Sequence, residues 1–136
     1  QTNKVKFVLP LFDFIHSLDS LRLAKKISEE QKKYENKPKI FIQINIGNES
    51  QKSGIDKSQL SEFYNECINL GLDICGTMCL PPVDNDPDIY FSEMKKITNI
   101  LNLNDMSMGM SEDYLKAVEY SSTHLRIGSK IFGARS

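Results

Sequence analysis

The chain alternates between short apolar stretches rich in strand-forming residues and longer stretches with the period of amphipathic helices. The stretch KIFIQINI at 39–46 is nearly all apolar, which is typical of a strand buried on both faces. After Asp56, apolar residues recur at the i, i+3, i+4 spacing of one helix face, and Gly71 is suited to end that helix. This alternation implies right-handed crossovers between parallel strands, and therefore an α/β fold.

The pattern places helices between all the predicted strands. Asp19 or Ser20 is positioned to cap the first helix. Ser111 opens the last one, with Glu112 and Asp113 in its first turn, where negative charge suits the helix dipole. The predicted strands cover 12–19, 39–46, 72–80, 104–110 and 123–128.

Two architectures fit this alternation. An open doubly wound sheet of five strands is complete at a length of 136 residues. A (β/α)8 barrel typically needs about 250 residues, so this chain would supply only strands four to eight of one. The spacing alone slightly favours the open sheet, whereas the residues at the strand ends favour the barrel.

Composition argues against several classes of function. The net charge of −1 offers no field that would attract nucleic acid or a membrane surface. No apolar run approaches the roughly 20 residues that span a bilayer. The cysteines Cys67, Cys75 and Cys79 form no CxxC pair, so neither a zinc site nor a disulfide framework is expected. Reduced thiols packed as small hydrophobic side chains fit a protein of the cytoplasm.

The loops that follow the strands form the candidate site, because both architectures bind ligands beyond the carboxyl ends of parallel strands. Gly109 permits a sharp turn, and Ser111 stands at a helix start, where unpaired N–H groups favour an anion. Gly128 permits close backbone approach to a ligand, and Ser129 adds a hydroxyl. Two such neighbouring loops are typical of a barrel phosphate site. The structural alternatives are a helix cap for Ser111 and a plain turn for Gly128.

Arg126 lies inside the last apolar stretch. A buried guanidinium needs a partner, because an unpaired charge is costly away from water. That partner is either a carboxylate of a neighbouring strand or a heteroatom of a ligand in the barrel mouth.

Four stretches, FIQINIGNESQKSGI, GTMCLPP, MSMGMSED and LRIGSKIFGAR, resemble the pyridoxal phosphate homeostasis proteins in order and spacing. Those proteins are single-domain relatives of the N-terminal barrel of bacterial alanine racemase. The opening residues 1–24 are similar as well, so the likeness covers essentially the whole chain. It implies a PLP-binding (β/α)8 TIM-type barrel, here strands four to eight only, with 1–136 as the C-terminal part of one barrel domain.

The resemblance also implies the cofactor, pyridoxal 5′-phosphate (PLP, a form of vitamin B6), and the residues that hold it. Ser111, Gly128 and Ser129 would bind the phosphate, and many family members have threonine where this chain has Ser129. Arg126 would face the pyridine nitrogen and keep it unprotonated, which makes the ring a weak electron sink. Asn45 and Met78, at the ends of their strands, would line the pocket. A turn-forming role for Asn45 and a core-filling role for Met78 are almost equally good interpretations.

One departure from the family pattern is large. The family's PLP lysine stands on the first barrel strand, and neither Lys52 nor Lys130, the lysines near the mouth, matches it. The chain therefore carries the phosphate and ring-nitrogen contacts without the covalent anchor. The resemblance implies a carrier or buffer of PLP, with no established catalytic turnover, that could serve PLP-dependent apoenzymes. The alternatives are a racemase-like enzyme, which needs a second β-rich domain with a tyrosine base, and a flavodoxin-like binding module without PLP.

The start of the chain at Gln1 rather than at a methionine suggests either a processed chain or a piece of a longer one. Half a barrel leaves two open edges, and strands such as FIQINI lose partners, which invites association. We therefore expect that a missing N-terminal segment completes the barrel, and that the 136-residue chain alone is unstable or aggregated.

Overall fold

Strands and helices alternate along the chain, as the apolar pattern predicts. In the computed structural model, the described residues are 4–8, 13–34, 37–50, 53–82, 86–110 and 113–126. The strands are β1 (Phe14–Leu18), β2 (Lys39–Ile44), β3 (Asp73–Cys79), β4 (Asp105–Met110) and β5 (His124–Arg126). The helices are α1 (Val5–Val8), α2 (Leu21–Gln31), α3 (Leu60–Asn69), α4 (Pro87–Ile100) and α5 (Tyr114–Glu119), with a 3-10 turn at Lys57–Gln59 before α3.

Local sequence signals set two of the helix ends. Ser20 caps α2, where its Oγ accepts a hydrogen bond from the backbone N–H of Leu23 at 3.2 Å. Gly71 follows the end of α3 with a φ of +77°, the left-handed conformation that glycine adopts without a steric cost. Both ends are therefore as predicted.

The start of α5 differs from the prediction. The helix begins at Tyr114 and its N-cap is Asp113, so no acidic residue lies in its first turn. Oδ1 of Asp113 instead accepts a hydrogen bond from the backbone N–H of Met110 at 2.6 Å. This charge-assisted bond closes the turn after β4 before the helix begins. Ser111, the predicted first residue of this helix, lies outside the described residues.

The strands form one parallel sheet in the order β1-β2-β3-β4-β5, which is also their order along the chain. Right-handed crossovers that always step to the next strand place every connecting helix on the same face of a sheet. A doubly wound sheet instead reverses its strand order at a switch point and carries helices on both faces. The flavodoxin-like alternative, and with it the open doubly wound sheet that spacing slightly favoured, is therefore wrong.

The sheet is curled into half a barrel. Four strand spacings of about 4.8 Å would hold the edge strands of a flat sheet about 19 Å apart. The ring centroids of His16 on β1 and His124 on β5 are nevertheless only 5.4 Å apart. Side chains from the two edge strands can meet in this way only when the sheet closes around them. The prediction of a curved, barrel-type parallel sheet is confirmed.

The two faces of the half-barrel differ in chemistry. On β2, Ile40, Ile42 and Ile44 face outward into the main hydrophobic core, whereas Phe41 and Gln43 alternate with them. All five side chains are buried, which explains why the sequence of this strand is almost continuously apolar. The helices supply the other half of the outer core, through residues such as Leu23, Ala24, Ile27, Phe63, Cys67, Phe91 and Met94.

Gly76 sets the spacing between β3 and β4. It pairs in register with Phe41 on one side and with Asp105 on the other. A Cβ atom at this position would overlap the Asp105 carbonyl and would lie 2.8 Å from Cε1 of Phe41. Because the Asp105 atoms belong to the backbone of a paired strand, they cannot move without disturbing the sheet.

We expect Gly76→Ala to lower the free energy of unfolding of the intact protein by about 3 kcal/mol, the upper end of the usual cost of overpacking. Gly71→Ala is the matched control, because nothing lies within 4 Å of its Cβ position. Its cost is that of a left-handed φ alone, about 1 kcal/mol. Urea denaturation measures both, and equal losses would show that Gly76 is not a close-approach position.

Candidate functional site

A row of four side chains crosses the concave face of the half-barrel. The register pairs Gln43 with Met78, Met78 with Ser107 and Ser107 with His124, so the row runs without a break from β2 to β5. Gln43, Met78 and Ser107 are buried, and His124 is half-buried. This row is therefore mostly polar, whereas the convex face of the sheet is mostly apolar.

Aromatic rings pack around this row. The ring of His16 lies 4.3 Å from that of Phe41, and Phe41 lies 4.9 Å from His124, measured between centroids. Phe14 closes the cluster at 5.4 Å from His124. Nδ1 of His16 also shares a hydrogen bond of 2.7 Å with Oγ of Ser107. Ring pairs at these separations are favourable, so the cluster forms a packed floor below the strand ends.

The carboxyl ends of the parallel strands meet at one edge of the half-barrel, where Asn45 follows β2. Its Nδ2 donates to the carbonyl oxygen of Glu49 at 2.7 Å, and its Oδ1 accepts from the Glu49 N–H at 3.1 Å. The amide therefore closes its own loop, which is the turn-forming interpretation. Its contact with a cofactor stays a prediction.

The rest of that loop folds back onto β2. The N–H of Ile55 donates to the carbonyl of Gln43 at 2.8 Å, and the N–H of Asn45 donates to the carbonyl of Ile55 at 3.0 Å. Gly54 adopts a φ of +121° beside the Asn45 backbone, where any side chain would be obstructed. At Gly47 an added Cβ would overlap the Pro82 ring, so the loops after β2 and β3 touch. These contacts join the described parts of the two loops to each other and to β2.

Met78 lies in the buried row near the end of β3, with 4% of its surface exposed. It does not belong to the main core cluster on the convex side, and its register partners Gln43 and Ser107 are polar. The structure thus places Met78 on the concave face. Its predicted role in lining a cofactor pocket stays a prediction.

The predicted anion-binding residues stand after β4 and β5. These two strands pair, and Met110 at the end of β4 is in register with Arg126 at the end of β5. The residues from which the two following loops start are therefore in register. Ser111, Gly128 and Ser129 themselves lie outside the described residues.

Sequence reasoning missed the polar and imidazole groups of the concave face. The signal lies in strand alternation: Gln43 interrupts the apolar stretch of β2, and Ser107 stands between two methionines of β4. Because successive strand residues point to opposite faces, Gln43 and Ser107 lie on the face opposite to their apolar neighbours, which meet the helices.

The cysteines behave as the composition predicts. Cys67 and Cys79 are buried, Cys75 is half-buried, and all three are free thiols. Burial raises the pKa of Cys67 to about 12. Burial, with smaller contributions from the carboxylates of Asp105 and Asp73, raises the pKa of Cys75 to about 11. Nucleophilic thiolate chemistry at neutral pH is therefore not a property of these two residues.

The described residues also lack the features of a metal centre and of a membrane-spanning helix. Among the described residues, no group of three or more His, Cys, Asp or Glu side chains could hold a metal ion. The helices that the structure describes include none long and apolar enough to cross a membrane.

The chemistry of the concave face is compatible with the pyridine ring of PLP, the cofactor that the family likeness implies. The ring is flat, aromatic and substituted with polar groups, so it needs an apolar wall and a few hydrogen-bonding partners. Met78 is apolar, and the amide of Gln43 and the hydroxyl of Ser107 lie beside it in the row, where that hydroxyl already pairs with His16. A wholly aliphatic face would have argued against such a ligand.

Sequence comparison finds one matching family across almost the whole chain. The profile of the alanine racemase N-terminal domain matches residues 3–136. A pyridoxal phosphate homeostasis protein of Aquifex aeolicus (strain VF5) is 34% identical over 145 residues, which cover 99% of this chain and 64% of that protein. Its namesake in Escherichia coli (strain K12) is 32% identical and covers 99% and 62%. The chain thus spans less than two thirds of the length of these curated relatives.

Structural comparison finds proteins of similar fold. PipY of Synechococcus elongatus PCC7942 with PLP bound has a TM-score of 0.88 at 27% identity, covering 98% of this chain and 66% of PipY. PipY without PLP has a TM-score of 0.85. The arginine decarboxylase of Paramecium bursaria Chlorella virus, at 12% identity and a TM-score of 0.65 over 94% of this chain and 43% of the enzyme, is similar in fold alone.

The thiol pKa values predict low reactivity. We expect Cys67 and Cys75 to react slowly with iodoacetamide at pH 8 in the folded protein and quickly in urea, with labelling read by mass spectrometry. Ser61→Cys, at an exposed position of α3, is a control that should react quickly in the folded protein as well.

Above pH 9 the thiols ionise in the unfolded state before the folded one, so the free energy of unfolding should fall as pH rises towards 11 or 12. Rapid labelling of both in the folded protein would contradict the raised pKa values.

Proposed function

The chain belongs to the alanine racemase N-terminal domain family, and from that membership we propose that it binds pyridoxal 5′-phosphate and serves the homeostasis of that cofactor. One observation carries the proposal: a half-barrel whose concave face presents Met78 among polar side chains, below the strand ends where such folds bind ligands. The naming of its relatives as pyridoxal phosphate homeostasis proteins supports it, and so does the PLP-bound structure of PipY.

In this proposal, β1 to β5 correspond to strands four to eight of a (β/α)8 barrel, and 1–136 form the C-terminal part of one barrel domain. Sequential parallel strands with strong curvature support that correspondence, because a closed barrel is built from the same repeating unit. The greater length of the relatives is consistent with it.

The loops after β4 and β5 would hold the phosphate. The hydroxyls of Ser111 and Ser129 would donate hydrogen bonds to phosphate oxygens, and Gly128 would let the backbone N–H groups approach closely. The pairing of the two strands supports a shared site, because Met110 and Arg126, from which the two loops start, are in register. Charge-assisted hydrogen bonds of this kind are the strong ones in anion sites.

Two strand-end positions would meet the pyridine ring. When bound, PLP supplies a ring that can withdraw electrons, and Arg126 would hold the ring nitrogen unprotonated and so weaken that withdrawal. Met78 would pack against the ring from the buried row, and Asn45 would border the pocket while closing its own loop. These roles suit retention of the cofactor better than catalysis on it.

We propose accordingly that the protein is a carrier or buffer rather than an enzyme, and that it works in the cytoplasm, where free thiols persist. PLP-dependent apoenzymes are the recipients that such a carrier would serve. An absorption spectrum of the purified intact protein tests the proposal, since PLP absorbs at longer wavelengths than the tyrosines of the polypeptide. Absence of any PLP signal after incubation with the cofactor and removal of unbound PLP by gel filtration would overturn it.

Removing one phosphate contact should weaken PLP binding measurably. We expect Ser111→Ala in the intact protein to lose a hydrogen bond to a charged group, about 1.5–3 kcal/mol, which is a tenfold to hundredfold loss of affinity. Gly128→Val should lose more, because a branched side chain would obstruct backbone approach. PLP titration with thermal stability measured beside it provides the test.

Ser61→Ala on the exposed surface of α3 is the matched control and should leave the affinity unchanged. If Ser111→Ala and Gly128→Val also bind PLP normally, these residues cap and turn the backbone without touching the cofactor.

A further inference from the structure

His16 and Ser107 form a hydrogen-bonded pair that the residues assigned so far do not include. Nδ1 of His16 and Oγ of Ser107 are 2.7 Å apart, and either atom can be the donor, depending on the imidazole tautomer. Ser107 is fully buried, and His16 is half-buried. A buried hydroxyl that lost this partner would carry the desolvation cost of an unpaired polar group.

Among the described residues, the pair joins strands that share no backbone hydrogen bonds. β1 pairs with β2 in the sheet, whereas Ser107 stands on β4, with β3 lying between β2 and β4. The hydrogen bond therefore reaches across the concave face. The ring centroids of His16 and Phe41 are 4.3 Å apart, and this packing orients the imidazole toward Ser107. Together these contacts tie an edge strand to the inner wall and limit how far the sheet can open.

Ser107 also occupies a central place in the buried row. Its register neighbours are Met78 on β3 and His124 on β5, and Arg126 follows His124 by two residues on the same strand. A change in the position of Ser107 is transmitted to both neighbouring strands, because parallel strands in register move together. One of those strands carries the proposed apolar wall of the ring site, and the other carries its proposed arginine.

We propose that His16 and Ser107 are positioning residues for the cofactor ring, acting by fixing the curvature of the half-barrel beneath Met78 and Arg126. The inference rests on the proposed binding of PLP. It adds that the position of the bound cofactor ring depends on the hydrogen bond between His16 and Ser107, which lies one layer of side chains below the ligand.

A second buried hydroxyl provides a matched control. Oγ1 of Thr77 on β3 and Oγ1 of Thr98 on α4 share a hydrogen bond of 2.6 Å, and both side chains are buried. This pair lies between the sheet and a helix, on the convex side. Thr77→Val therefore removes a buried hydroxyl of similar chemistry without touching the concave face.

The experiment measures the PLP dissociation constant and the melting temperature of the intact protein and its variants. Ser107→Ala removes the hydroxyl. His16→Phe keeps a ring against Phe41 but removes the nitrogen, whereas His16→Asn keeps a nitrogen near the Nδ1 position and removes the ring. Thr77→Val is the control.

We expect Ser107→Ala and His16→Phe each to raise the PLP dissociation constant about tenfold, and the double variant to add less than about threefold, because the two residues act as one unit. His16→Asn should stay within about threefold of the unmodified protein. Thr77→Val should lower the melting temperature as Ser107→Ala does, yet leave the dissociation constant unchanged.

Several outcomes would overturn the inference while leaving the proposed function intact. PLP binding that is normal in both Ser107→Ala and His16→Phe would make the pair merely structural. Fully additive effects in the double variant would deny that the residues act together, and loss of affinity in His16→Asn but not in His16→Phe would assign the effect to ring packing. His16→Phe keeps the test informative if Ser107→Ala does not fold. Failure of the unmodified protein to bind PLP would overturn the proposed function as well.

Discussion

The fold depends on the burial of β2 on both of its faces. Its isoleucines fill the core under the helices, and Phe41 and Gln43 enter the concave interior on the other side. A strand buried in this way must have strands on both edges and a covering layer on each face. The sequential order of the sheet and its strong curvature satisfy those requirements together, because helices cover the convex side while the curled sheet covers its own interior.

Curvature also explains why polar side chains are concentrated on the concave face of the described strands. The convex face meets helices and is filled mainly by apolar side chains, with Thr77 and Thr98 satisfying one another where hydroxyls occur. The concave face holds the imidazoles and Ser107, which is fully buried and pairs with His16, as a buried hydroxyl requires. A layer of paired polar groups below the strand ends gives a ligand site a defined floor, and a floor of fixed shape favours precise binding.

The sequence predicted much of this architecture because local rules agreed with the tertiary fold. The apolar stretches located the strands, Ser20 and Gly71 located helix ends, and the alternation implied a parallel sheet. The start of α5 was misplaced because the carboxylate of Asp113 bonds the N–H of Met110, a contact that the preference of acidic residues for helix starts does not reveal. The spacing slightly favoured an open sheet because 136 residues fill one. It did not exclude a barrel, because strand spacing is the same whether the connecting helices lie on one face of the sheet or on both.

The sequence by itself determined the element types, their order and the family, since periodicity and motif spacing are properties of the chain alone. It also singled out the candidate residues at the strand ends, because parallel strands always bring those ends to one edge. Only the tertiary structure decided which side chains face the interior and meet there. His16 and Ser107 are 91 positions apart, and no local pattern relates them. Their contact exists because the sheet curls, and curling is a collective property of five paired strands and the helices packed behind them.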